Sequence, residues 1–157
     1  MATVRDNQLT KQIGESLVVA ELGQRAFVAT AFAGSVPEFD ILAIETDGQS
    51  LPIQVKAIRG ASWQFAIRTF LIVQTTRRGQ VVSGKMQPAY KNLVYVLVKI
   101  KEDRQHDFFL LRWRHLQNHF YETYKGRKPP NNIQSFHCAV WPRELQKYKD
   151  NWRLSQD

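Results

Sequence analysis

The sequence predicts an α/β fold with a mixed central β-sheet flanked by α-helices, and three observations carry that prediction. Near the start, Leu9, Ile13, Leu17 and Ala20 recur at helical spacing, which predicts a helix from about Asp6 to Leu22. Short β-like runs follow, separated by glycine, proline and Asp-Gly punctuation. Residues Leu93 to Ile100 form a nearly continuous apolar run, the pattern of a strand buried on both faces at the centre of a sheet. At 157 residues the chain reads as a single domain, residues 1–157, with enough length for a real core.

The elements follow in order. After the first helix and Gly23, Ala26 to Phe32 reads as a strand, and Gly34, Ser35 and Pro37 punctuate before the next run, Glu38 to Ile44. Leu51 to Ala57 is a further strand. Trp63 to Val73 starts as a strand and continues as either strand or helix. Gln74 to Lys91 holds Arg77, Arg78, Lys85 and Lys91 with three turn-forming residues and no acid, and reads as a basic hairpin or loop. A polar turn over 101–106 leads to a strand over Asp107 to Trp113, a helix over Arg114 to Tyr124, and a loop over Gly126 to Asn132. Trp141, Leu145, Tyr148 and Trp152 stand at i, i+4, i+7 and i+11, which predicts a closing helix begun by Pro142, with its aromatics packed in the core.

The Glu38–Ile44 and Leu51–Ala57 runs hold the most informative chemistry. The first sets Asp40 in an apolar stretch; the second sets Gln54 and Lys56 two residues apart. Strand residues alternate faces, so Gln54 and Lys56 point the same way, roughly 6–7 Å apart. The linking Asp47-Gly48 favours a hairpin turn, and an antiparallel hairpin brings Asp40 close to both. A carboxylate, an oxygen donor and an ammonium on neighbouring strands suit a hard divalent cation and a water nucleophile. The lysine can orient or deprotonate that water and offset developing charge. The plainer reading is a strand-end carboxylate beside the solvated face of a half-buried strand. Glu15 bears on the choice: Val18, Val19 and Leu22 lie on its own helical face, so it is a carboxylate beside apolar side chains.

A helix with Gly14-Glu15, then a strand, the Asp40 strand, and the Gln54-Val55-Lys56 strand resembles the PD-(D/E)XK nuclease superfamily. The motifs cover about the first 60 residues, and element order extends the likeness loosely over the next 50. The resemblance implies a restriction-endonuclease-like core of helix, three strands, helix and strand, and so a helix between Lys56 and Leu93, against which the β-branched content argues. It implies a catalytic and metal site of Glu15, Asp40, Gln54 and Lys56. Asp40, Gln54 and the carbonyl of Val55 would hold Mg²⁺ or Mn²⁺, with Glu15 reaching it through water or a second ion. Two positions depart from the commonest pattern. Phe39 stands where the proline would precede Asp40, and Gln54 replaces the usual acid. A Gln-x-Lys form occurs in branches resembling Mrr restriction nucleases and Holliday-junction resolvases; its neutral oxygen would hold a cation less tightly until a phosphate arrives.

Composition bounds the partners. With 43% hydrophobic and 23% charged residues the chain reads as globular. Twenty-two Lys and Arg stand against 14 Asp and Glu, a formal charge of +8, with a sequence pI near 9.8. That excess suits a polyanion, nucleic acid ahead of an anionic membrane. Arg59, Arg77, Arg78, Lys85 and Lys91 are the candidate DNA contacts, with Arg127-Lys128 as a further basic pair. The single cysteine, Cys138, excludes an intrachain disulfide and fits a reducing cytoplasm. No stretch is apolar enough to span a membrane, the N-terminus lacks a signal-peptide core, and no glycine-rich phosphate loop points to a nucleotide cofactor.

Two other constellations are weak. His115 and His119 share a helical spacing but lack the glutamate and third ligand of a metalloprotease site. His137 and Cys138 are adjacent in a strand and face opposite ways, so they make a poor dyad. The expected function is therefore metal-dependent cleavage of DNA. Its small size fits a structure-selective nuclease or the nuclease half of a defence system better than an enzyme with a long recognition site. Cutting both strands with one site per chain invites a homodimer. The rivals are a non-catalytic DNA-binding module on the same fold and a basic protein-interaction domain.

Overall fold

The computed structural model describes residues 3–32, 38–126 and 137–154. Its spine is a five-stranded sheet in the order β1-β2-β3-β7-β8. These strands are β1 (Val28–Ala31), β2 (Ile41–Ile44), β3 (Ser50–Ile58), β7 (Val94–Lys99) and β8 (Asp107–Arg112). Only β3 and β7 run parallel; the other neighbours are antiparallel, so the sheet is mixed and the fold α/β as expected. β7 sits between β3 and β8 and buries both its faces, which accounts for its unbroken apolar sequence.

Strand parity sorts the core into two layers. Ile41, Ile53, Val55, Val96 and Leu110 face helix α1 (Val4–Gln24) through Val18 and Leu22. Tyr95, Leu97, Phe109 and Leu111 face an aromatic cluster of Trp63, Phe65, Phe70, Trp113 and Phe120, to which helix α2 (Trp113–Tyr124) contributes. A short ribbon of β4 (Trp63–Ala66) and β9 (His137–Val140) closes this side.

The helix α1 starts at a Thr3–Asp6 capping box, slightly earlier than its apolar spacing indicates. Its fully buried residues are Gly14, Val18 and Leu22; of the expected stripe, Ile13 and Leu17 pack half-buried against the core, while Ala20 is exposed and Leu9 is 44% exposed. Gly14 sets the buried line. A Cβ there would stand 2.4 Å from the Ala57 Cβ, so the missing side chain lets the helix backbone rest directly on β3. The contact turns Glu15 toward the sheet.

Two further expectations are corrected. No helix fills the stretch between β3 and β7 that the family order implies. Its residues form β4, a single 3-10 turn (Ile67–Thr69), and an antiparallel hairpin of β5 (Leu71–Thr76) and β6 (Gly79–Lys85). Alternating burial along β4 and β5 matches β-branched and aromatic side chains to one packed face. The closing segment is no α-helix either. Pro142–Glu144 and Gln146–Tyr148 each make one 3-10 turn. Asp150 then takes a left-handed φ of 53° and donates its N–H to Phe108 O at 2.9 Å. Bonding to β8 covers that edge strand and outweighs the helical spacing of the aromatics. Trp152 packs on Phe108 and under Arg25 instead of on a helical face. The pairs Gly34-Ser35 and Arg127-Lys128, Pro37, and the loop beyond Gly126 lie outside the described residues.

Candidate active site

β3 outruns its partner. Ile41, the first residue of β2, pairs with Ile53, so beyond that point β3 has an open edge. Asp40 lies at this end. Its N–H donates to Ile53 O at 2.8 Å. Its Oδ2 accepts the Val55 N–H at 2.9 Å and the Gln54 Nε2–H at 2.5 Å. A strand residue turns its N–H and C=O to the same edge, so the Val55 carbonyl points to the open side where Asp40 sits. The turn that makes the hairpin is the expected one: Gly48 has φ 87°, and Glu45 and Gln49 close it.

Glu15 comes to the same place from α1. Its Oε1 is buried and makes no hydrogen bond, and its charge and that of Asp40 repel. Burial, more than that repulsion, raises the Glu15 pKa, while Lys11 opposes the rise. Lys11 is the residue the sequence reading missed. Its Nζ stands 3.6 Å from Glu15 Oε1 and 3.5 Å from Asp40 Oδ1, between the two carboxylates. The available signal was its position four residues before Glu15 on a helix.

Lys56 lines an open cleft of about 640 Å³ with Lys11, Gln54, Val55, Trp63 and Gln64. It donates to Gln64 O at 3.1 Å and lies over the Phe65 ring at 5.0 Å. Burial lowers its pKa, the Asp40 carboxylate acts the other way, and Lys11 lowers it further. Tyr95, the register partner of Gln54 on β7, is also buried near these charges; burial, then Asp40 and Glu38, push its phenol upward.

Glu15, Asp40, Gln54, Val55 and Lys56 thus gather at one end of the β2–β3 pair. The donor set can be tested against a divalent cation. Among the described residues no three His, Cys, Asp or Glu side chains cluster. Two carboxylates, an amide oxygen and an edge carbonyl nevertheless suit magnesium, which keeps several waters. The buried Glu15 Oε1, which faces Lys11 at 3.6 Å but makes no hydrogen bond, is the feature a cation or its water would complete. Gln54 would need a half-turn of its amide to present Oε1, breaking its bond to Asp40.

The basic candidates scatter. Arg59 follows β3, and its carbonyl accepts from Lys99 Nζ. Arg77 and Arg78 form the exposed tip of the β5–β6 hairpin. Lys85 is drawn toward α2 by Asn118 Oδ1 at 2.9 Å and the Tyr121 ring. Lys91 lines a separate hollow with Gln49, Leu51 and Arg112, toward the start of β3 and away from Lys56. The histidines are used in packing: His115 stacks on Tyr148, and His119 meets Phe120 edge-on. Cys138 is buried opposite Phe65, and burial lifts its thiol to about 11. Neither forms a nucleophilic or metal centre.

No protein-family model matches the chain, and no curated protein matches it. Among solved structures it is similar to the bacterial homing endonuclease I-Ssp6803I, with a TM-score of 0.52 and 15% identity over 94% of this chain and 90% of that one. The likeness lies in the fold. Among the described residues no helix is long and apolar enough to cross a membrane.

Proposed function

We propose that this protein is a divalent-metal-dependent DNA endonuclease of the PD-(D/E)XK type. The carrying observation is the convergence of Glu15, Asp40, Gln54, Val55 and Lys56 on the open edge of β3. The fold shared with a homing endonuclease supports the reading. Asp40, the Val55 carbonyl and Gln54 would hold the Mg²⁺ or Mn²⁺, with Glu15 bound directly or through water. The ion would supply an acidified water and charge neutralisation at the scissile phosphate. Lys56, partly desolvated and fixed by Gln64, would hold that water in line and hand a proton between it and the phosphate oxygen. Lys11, the more exposed cation, would meet the substrate phosphate as the carboxylates turn to the metal.

One site per chain cuts one strand at a time, so double-strand cleavage would use a second copy. A second reading, a binding module without chemistry, is favoured by one observation: Gln54 is neutral and donates to Asp40. Incubation of supercoiled plasmid, a branched junction, single-stranded DNA and RNA with Mg²⁺, Mn²⁺ or chelator separates the two. The nuclease reading expects divalent-dependent nicking of at least one DNA. Binding without cleavage under every condition selects the binding module.

A further inference from the structure

Between Asp47 and Glu102 the sequence carries no acidic residue and nine lysines and arginines. From the middle of this stretch the β5–β6 hairpin projects, with its root divided between a core face and a solvent face and a bulge opposite Ile72 and Val73. Leu71 and Val73 turn into the core. Ile72, Gln74, Thr76, Val81 and Ser83 face solvent, with Ile72 43% and Val81 47% exposed. Gln74 and Val81 are register partners, so the amide and the methyls stand side by side on the outer surface. The Gln74 carboxamide makes no hydrogen bond to any described residue.

The root of the ribbon is fixed. The side chain of Gln117 on α2, buried to 5% exposure, donates to Phe70 O at 2.8 Å and Met86 O at 2.7 Å, the residues that flank the hairpin. Arg68 donates to Val73 O, and Phe70 packs among Tyr95, Trp113 and Phe120. Arg68, Thr69 and Met86 also border a hollow of about 410 Å³ with Glu38 and Tyr95. Tyr95 is next to Gln54 across the β3–β7 pair, so the root stands beside the candidate active site.

From these features, and resting on the DNA-nuclease reading above, we infer that the β5–β6 ribbon enters the major groove of duplex DNA and reads base edges through Gln74, with Ile72 and Val81 against thymine methyls. A two-stranded ribbon fits that groove, a glutamine amide pairs with adenine N6 and N7, and apolar side chains recognise the thymine methyl. Arg77 and Arg78 at the tip supply the phosphate contacts that set its register. The bare positive charge favours DNA over a protein partner or a second copy of this chain, whose tip would carry the same sign. The hairpin thus supplies a recognition element within this fold.

The test is selection from a randomised duplex library in chelator, where no cleavage intervenes, with wild type, Gln74→Ala and Val81→Ala. Both variants are first shown to melt like wild type. Wild type is expected to enrich a motif. Gln74→Ala should lose one or two of its positions and bind the enriched duplex about ten- to a hundredfold more weakly, while its affinity for unselected duplex holds. Identical motifs from all three proteins, or duplex binding with no motif enriched, overturns the inference. Plasmid cleavage with Mn²⁺, run in parallel, judges the nuclease reading separately: retained cleavage with no motif sinks only the ribbon's role.

Discussion

The Lys11 ammonium lies 3.5 Å from Asp40 Oδ1 and 3.6 Å from Glu15 Oε1, in the gap that a cation shared by these carboxylates would fill. Lys11 and a divalent ion therefore compete for the same charge. Lys11→Met should bind Mn²⁺ two- to fivefold more tightly without DNA, since a half-exposed pair is worth on the order of 0.5–1 kcal/mol. Calorimetric titration reads this; unchanged or weaker Mn²⁺ binding removes Lys11 from the site.

Glu15 makes a pH-dependent prediction. Burial, then the Asp40 charge, raises its pKa above the ordinary 4.5, against the pull of Lys11. The folded state then holds the proton more readily than the unfolded chain. Stability falls as pH climbs from the unfolded value through the folded one, and the penalty is complete above it. Glu15→Gln should melt higher than wild type at pH 7, and the gain should vanish well below pH 4.5. A variant that melts lower at pH 7 would show Glu15 to be a structural ion-pair partner.

Gly14 links the helix to the site. Adding a methyl 2.4 Å from the Ala57 Cβ must push α1 away from β3. Gly14→Ala should cost about 1–3 kcal/mol in denaturant unfolding and weaken Mn²⁺ binding, because Glu15 moves with the helix. Adding Ala57→Gly should recover much of both. Full stability in Gly14→Ala alone would mean that the helix does not rest on this contact.

Gln54→Glu replaces a hydrogen-bond donor to Asp40 by a second carboxylate. The metal-free protein should melt lower, and half-maximal cleavage should need less Mg²⁺. Thermal melting with and without Mg²⁺ tests the first effect, and a cleavage titration the second. Unaltered values in both would leave Gln54 without a role at the metal.

The grouping of Asp40, Gln54 and Lys56 was legible because its information is local. Strand parity places Gln54 and Lys56 together, Asp47-Gly48 fixes the hairpin, and the register then delivers Asp40. The central strand was legible from its unbroken apolar run. What escaped depends on partners distant in sequence. The buried stripe of α1 is set by where Gly14 meets Ala57, and Lys11 gains meaning only when Asp40 arrives from another element. The aromatic spacing after Pro142 is helical, yet bonding to Phe108 and Phe109 on β8 decides the conformation. The stretch from Trp63 to Val73 has the alternation of strands, and only the packed cluster around Phe70 shows where the 3-10 turn interrupts it.

The most direct measurement is single-turnover cleavage of plasmid DNA by wild type and Asp40→Ala, purified identically, across a Mn²⁺ titration. Wild type should cut only with the metal, and Asp40→Ala should lose roughly a thousandfold or more in rate while retaining DNA affinity on the wider basic surface. Cleavage by Asp40→Ala at the wild-type rate would contradict the assignment of this site.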